Sequence, residues 1–477
     1  MTLDKPASSN ASKTSLAPFI TLVVVFFFWG FVAASNDILI PVFKKALNLT
    51  QGKSQLISVA FYIAYTVGSI LYMLGSAVMR KDILNKLGYR NGLALGLLIS
   101  ASGTLLFIPA ANNASFELLI TGLFVVGLGF SLQQTAANPL AISMGDPSKG
   151  SQRLSLAGGI NNVGTTIGPV IVSYAIFGSA SSGNTTMSLE AVKIPYLVLG
   201  GAFALAALLF KFSSVPDKIE SVMHASDNDS RTSPLQYPQL ALGMIAIFVY
   251  VGVEVATASN LPEFMKQSMN MGESQISPYI SLFWGSLMIG RWTSAAGAFD
   301  ISKSAKAVLN VVLPFVAFGI FLLVNAISGT DISQFYLYAV MIVILIAVDK
   351  ITGGRPAKQL LYYSFGAIAA LLVGIFSSGM TSVFSFITVG LFCSTLWPCV
   401  FTLAITGLGR HTNQGSSFLI MMIMGGGLVS WFQGYLADVA LGIQQSYWVG
   451  IFCFLYLAFY AWKTRHLDAQ AVAGGGH

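Results

Sequence analysis

Residues 127–142 read GLGFSLQQTAANPLAI, and residues 390–405 read GLFCSTLWPCVFTLAI. The two stretches are equal in length and share Gly-Leu at the start, Ser at the fifth position and Leu-Ala-Ile at the end. Each belongs to an apolar run long enough to cross a bilayer as a helix. Each is followed by a polar loop and then a Gly-rich run, LAGGINNVGTTIGP at 156–169 and FLIMMIMGGGLVSWFQG at 418–434. A pattern that returns with its context in both halves of a chain predicts two helical bundles related by an axis along the membrane normal.

The composition around these stretches agrees. Of the 477 residues 55% are hydrophobic and only 9% charged, whereas a soluble domain carries about 25% charged residues. Mean hydropathy is +0.73. Apolar runs recur at 18–44, 55–78, 91–111, 116–144, 153–178, 194–213, 238–265, 277–298, 305–328, 334–349, 359–378, 380–407, 414–437 and 445–463. This is an all-α polytopic membrane protein of about 14 spans, each near the length a bilayer needs. With loops alternating sides, all but Lys44, Lys45, Lys53, Lys193 and Lys266 of the 25 lysines and arginines fall on the side shared with the N-terminus. The positive-inside rule then predicts cytoplasmic termini. The same bias accounts for the net charge of +7, so no nucleic-acid partner is needed.

Organisation follows from the polar stretch at 214–237, SVPDKIESVMHASDNDSRTSPLQY, read as a cytoplasmic linker. It separates a six-helix bundle at 1–213 from a second bundle at 238–466, with 467–477 a tail whose terminal GGGH reads as added. The repeat unit 390–405 is the sixth span after the linker rather than the fourth. Two spans near 305–349 are therefore expected to be an insertion, and a pair preserves sidedness. Cys393, Cys399 and Cys453 lie in apolar runs and suggest neither a disulfide framework nor a metal site. The four histidines fall in loops or the tail, which argues against a metal centre in the membrane. The first apolar run is too long for the h-region of a cleaved signal.

Polar residues inside the spans point to the function. Asp37, in WGFVAASNDILIP at 29–41, and Glu254, in VYVGVEVATASNLPEF at 249–264, are acids placed deep in apolar runs. An intramembrane acid costs at least about 2.5–3.5 kcal/mol on insertion scales, and such residues mark ion pathways. No lysine or arginine is expected at comparable depth, so each acid is suited to neutralisation by a proton or a sodium ion. Asn36 shares a helix face with Asp37 and Trp29. Ser131, Gln134, Thr135 and Asn138 form a stripe, with Gln133 about 100° away, and the next span adds Asn161 and Asn162. Carboxamides offer donors and acceptors without charge, which suits a neutral polyol. They also serve as interhelical hydrogen bonds. Trp29, Trp284 and Trp397 fall mid-span, where a ring face can pack on a sugar or on a neighbouring helix.

These pieces resemble the fucose–galactose–glucose:proton symporter family of the major facilitator superfamily. The matching strings are FFFWGFVAASNDILIP, GLGFSLQQTAANPLA, RLSLAGGINNVG, YVGVEVATASNLP, WGSLMIGR and GLFCSTLWPCVFTLAITGLGRHTNQGSSFLIMMIMGGGL, spread from residue 26 to about 438. The resemblance implies the major facilitator fold, with 12 helices plus the inserted pair. It also implies a cation-coupled importer of a neutral monosaccharide, working by alternating access between the halves. In the fucose permease, acids at the positions of Asp37 and Gln134 serve coupling and transport. A glutamine at 134 looks like the glucose/galactose branch, and it leaves Glu254 as the second ionisable group.

The expected ligand set is therefore Asp37 and Glu254 for the cation, H⁺ or Na⁺. Trp29, Asn36, Gln133, Gln134, Asn138, Asn161, Asn162, Trp284 and Trp397 are expected for the sugar. No cofactor is expected, lipid is the surrounding partner, and the chain is expected to act as a monomer in a bacterial inner membrane. A passive uniporter would differ only in lacking coupling, and a drug or metabolite antiporter would favour an apolar cavity. A membrane enzyme would need a nucleophile or metal cluster, which the sequence does not show.

Overall fold

The computed structural model describes residues 16–47, 51–177, 190–219, 233–298 and 301–473. Within them the chain forms a succession of long helices. The first half holds α1 (Leu16–Ala46), α2 (Gln51–Val78), α3 (Tyr89–Asn112), α4 (Phe116–Ser143), α5 (Gly150–Phe177) and α6 (Glu190–Phe212). The second holds α7 (Pro238–Met269), α8 (Glu273–Ala295), α9 (Lys303–Ile327), α10 (Ser333–Thr352), α11 (Pro356–Phe376), α12 (Gly379–Ile405), α13 (Gly409–Gln445) and α14 (Trp448–Ala473). A short helix, Ile83–Leu87, sits in the turn between α2 and α3. Of the linker, residues 220–232 lie outside the described residues.

Local chemistry sets several of the ends. Ser115 caps α4, its hydroxyl accepting from Leu118 N at 3.2 Å. Asn270 ends α7 in the left-handed conformation, which asparagine tolerates better than most residues. Helices approach closely where glycines face one another. A Cβ on Gly129 would lie 2.2 Å from Ser100 Oγ and 2.4 Å from Gly96 O, so α3 and α4 pack nearly backbone to backbone.

The packing in the first half is α1 on α5, α2 on α4, and α3 on both α4 and α6. After the linker the same scheme recurs as α7 on α13, α8 on α12, and α11 on both α12 and α14. The 127–142 stretch lies in α4 and the 390–405 stretch in α12, the matching positions of the two schemes. Helices α9 and α10 have no counterpart. They are the inserted pair, seated on α8 and α11. The most apolar window of α9 is only 22% buried by protein, against 89% for α12, which places α9 at the lipid-facing rim.

The halves meet along α5 with α8, and along α2 and α4 with α13. The cross-half hydrogen bonds gather toward the face where α1 begins. Tyr89 OH donates to Asn413 Oδ1. Asn413 Nδ2 donates to Asp82 Oδ1 at 2.8 Å and to Asn85 Oδ1 at 3.1 Å. Ser416 Oγ donates to Thr135 O at 3.0 Å, and Ser417 Oγ to Ser69 O at 3.3 Å. The molecule is closed on that face.

Candidate functional site

Just beyond this closure, between the halves, lies a cavity of about 200 Å³. Its walls come from both bundles. The first half contributes Phe26 and Trp29 of α1, Phe61, Tyr62 and Tyr65 of α2, Gln134 and Asn138 of α4, and Leu154, Gly158 and Asn161 of α5. The second half contributes Tyr250, Val251 and Glu254 of α7, Arg291 of α8, Trp397 and Pro398 of α12, and Ile423 of α13. The volume corresponds to roughly six or seven waters at about 30 Å³ each, a space for one small solute.

The polar atoms are arranged unevenly. Gln134 Nε2 donates to Tyr65 OH at 3.1 Å. Asn161 Nδ2 donates to Phe26 O at 2.9 Å, tying α5 to α1. Asn138 Nδ2 is buried with no hydrogen-bond partner among the described residues, and a buried donor left unmade costs about 1–3 kcal/mol. Across the cavity Tyr250 OH donates to Glu254 Oε2. Trp397 leans on Tyr250 with ring centroids 6.3 Å apart. Apolar ring faces beside uncharged carboxamides are what a polyhydroxylated ring presents surfaces for.

Arg291 departs from the sequence reading, which counted it with the basic residues of the N-terminal side and expected no cation at the depth of the acids. It lines the cavity with Glu254. Its Nε donates to Ser394 O at 2.9 Å, and its Nη1 donates across the interface to Gly158 O at 3.0 Å and Asn162 Oδ1 at 2.6 Å. The main-chain carbonyls explain the placement, because a guanidinium can be buried when its fork of donors is met. The signal was in WGSLMIGR, where Trp284, Leu287, Met288 and Arg291 recur at helical spacing on one face. Tyr62 and Tyr65 were also missed, and with Phe61 they fall on one side of α2 in the same way.

Six of the expected residues line the cavity: Trp29, Gln134, Asn138, Asn161, Glu254 and Trp397. Three do not. Gln133 is fully buried, accepts from Trp29 Nε1 at 2.9 Å and donates to Ser100 Oγ at 3.0 Å. Its turn away from Gln134 carries it into the α1–α3–α4 packing. Asn162 is occupied by Arg291. Trp284 packs edge-on against Phe283 with centroids 5.5 Å apart. Asn36 and Asp37 belong to α1, but their side chains lie outside the described residues.

A family model, the Major Facilitator Superfamily, matches residues 19–349. The chain belongs to this superfamily. It is 33% identical over 442 residues to a glucose/galactose transporter of Brucella abortus, covering 92% of each chain. It is 30% identical over 456 residues to a putative glucose/galactose transporter of Helicobacter pylori, covering 93% of this chain and 95% of the other. The L-fucose-proton symporter of Escherichia coli is 27% identical over 482 residues, covering 96% and 95%. Among solved structures, the superfamily transporter FucP in its outward conformation superposes with a TM-score of 0.71 at 25% identity, over 95% of this chain and 99% of that one. Glucose/galactose transporters thus stand nearer in identity than the fucose-proton symporter.

Proposed function

We propose that this superfamily member imports a neutral monosaccharide such as glucose or galactose, driven by a cation, by alternating access of the central cavity. The observation that carries the reading is the wall of that cavity. Three uncharged carboxamides, Gln134, Asn138 and Asn161, and two tryptophans, Trp29 and Trp397, surround a space for one small solute. The relatives named as glucose/galactose transporters support the substrate class.

Coupling to H⁺ or Na⁺ is supported by Glu254, an acid in the same wall whose hydrogen-bond partner is Tyr250 rather than a cation. Arg291 is in that wall too, and hydrogen bonds from its Nε and Nη1 hold it to Ser394, Gly158 and Asn162. Opening of the closed face parts α5 from α8 and breaks the two bonds to α5. The freed guanidinium then competes with the cation for Glu254. Sugar and cation binding therefore both bias the same two-state element, which is what coupling requires. We place the protein in a bacterial inner membrane as a monomer, with both termini cytoplasmic.

Uptake of labelled hexoses into proteoliposomes, under separately imposed proton and sodium gradients, tests this reading. Accumulation above the external concentration under one gradient supports it. Equilibration without accumulation under either would make the protein a uniporter, and no uptake of any neutral hexose would remove the substrate class.

A further inference from the structure

Gln152 stands in the first turn of α5, on the first half. Its carboxamide is seated between two glycines of the second half. A Cβ built on Gly297 would lie 2.3 Å from Gln152 Cδ and Oε1, and one on Gly354 would lie 2.2 Å from Nε2. Gly297 follows the end of α8. Gly354 lies in the turn between α10 and α11 with φ +72°, a conformation that itself favours glycine. Any side chain on either wall would fill the slot. Gln152 Oε1 is buried with no hydrogen-bond partner among the described residues, so shape holds this side chain more than polar bonding does.

One wall of the slot exists only because of the inserted pair. In the first half α2 runs through one short helix into α3. In the second half α9 and α10 intervene between α8 and α11, and the turn bearing Gly354 is the exit from α10. A buried acid braces that turn. Asp349, 8% exposed, sits just before it. Asp349 Oδ1 accepts from Ser294 Oγ of α8 at 3.2 Å, and from Gln359 Nε2 and Tyr363 OH of α11 at 2.8 and 3.3 Å. Ser294 precedes Gly297 by three residues. One carboxylate thus ties together the segments that bear the two glycines. Next to the slot, Ser151 Oγ is 3.8 Å from Cys399 Sγ across the interface.

We propose that the inserted helix pair completes the gate on the closed face, with Gln152 as its pin, Gly297 and Gly354 as the socket, and Asp349 as the positioning residue that holds the socket walls together. The proposal rests on the carrier reading only in treating this face as one that opens. It assigns the extra pair a part in the transport cycle rather than a passive place at the rim.

Cys399 is a native reporter, since it is fully buried against Ser151. In purified protein carrying Cys393→Ser and Cys453→Ser, its rate of reaction with N-ethylmaleimide reads how often the gate opens. Gln152→Ala and Asp349→Ala should each raise that rate about tenfold by shifting the closed population. The double variant should react no faster than the faster single one, because both act on one device. Asp349→Asn keeps an acceptor at Oδ1 and should stay near the parent, as should Leu323→Ala on the lipid-facing side of α9, where Leu323 is 60% exposed. Ser294→Ala removes a single donor to Asp349 and carries the same test if Asp349→Ala does not fold. As a second measurement, Ser151→Cys should form a disulfide with Cys399, more slowly when Gln152→Ala is added. An unchanged rate in Gln152→Ala overturns the pin. Unchanged rates in the Asp349 and Ser294 variants overturn the part of the inserted pair. None of these readouts needs sugar or an ion gradient. The expected labelling without hexose uptake would retain the gate and reject the importer, and uptake with unaltered labelling would do the reverse.

Discussion

Gln133 and Gln134 are neighbours in sequence and opposite in role. On a helix they point about 100° apart, and here that angle separates packing from cavity. Gln134 reaches the cavity beside Tyr65, whereas Gln133 is closed in by Trp29 and Ser100. Gln134→Ala and Asn138→Ala each remove a carboxamide from the cavity wall. Each should cost about 1–3 kcal/mol of binding, roughly tenfold to a hundredfold in affinity, measured by calorimetric titration of hexose into purified protein. Gln133→Ala leaves the Trp29 N–H without its acceptor. It should lower the melting temperature and change sugar affinity far less. A Gln133 variant that loses sugar binding at unchanged stability would reverse the two assignments. At Glu254 the expectation concerns coupling. Glu254→Gln keeps size and hydrogen bonding while removing the titratable group. It should still exchange labelled sugar across the membrane and fail to accumulate it against a gradient. The same change at Asp37, whose side chain lies outside the described residues, ranks the two acids. Concentrative uptake retained by Glu254→Gln would hand the role to Asp37.

At the scale of elements, ten helices are, among the described residues, long and apolar enough to qualify as spans by composition; α1, α5, α8 and α14 are not among them, and for α5 and α8 the reason lies in their packing. They face each other across the two halves, with Arg291 and Asn162 between them. Polar groups there are covered by protein rather than lipid, so hydropathy falls without any cost of exposure to hydrocarbon. The loop after α6 is anchored differently. Arg90, in the first turn of α3, pairs with Asp217 and donates from Nη1 to Ser213 O at 3.1 Å. The guanidinium beside Asp217 holds its carboxyl below the usual carboxylate range. A depressed value in the folded state means that the pair contributes stability above the ordinary aspartate pKa of about 3.9 and loses it as pH falls through the lower, folded value. The melting temperature of the parent should therefore drop with acidification below about pH 4 more steeply than that of Asp217→Asn. Parallel pH profiles for the two would show that the pair adds nothing to stability.

For the whole molecule, closure on the face where α1 begins makes sidedness testable. The basic residues gather on that face by sequence, which predicts that it is cytoplasmic. Positions 182 and 226 lie outside the described residues, but the alternation of spans places them on opposite sides. A cysteine at Ser182 should react with a membrane-impermeant maleimide added to intact cells, and one at Ser226 should react only after permeabilisation. The reverse pattern would invert the topology and turn the closed face outward. With the expected sidedness the cavity lies on the outer side of the closure.

What the sequence determined by itself was the fold and the register of its two halves. Span length, the side preference of lysine and arginine, and the recurrence of 127–142 at 390–405 are local or periodic properties, so they are readable along the chain. The extra pair was legible for the same reason, as a displacement of one repeat unit by two spans, and it appears as α9 and α10. Only the tertiary structure decided which polar residue faces the cavity. Gln133, Asn162 and Trp284 look like ligands in sequence and are taken up by packing partners more than a hundred residues away, or by an adjacent ring. Arg291 looks like a cytoplasmic end and is drawn into the wall by carbonyls of two other helices. The physical reason is that a side chain's cost in the membrane depends on who meets its donors and acceptors, and those partners are chosen when the helices pack.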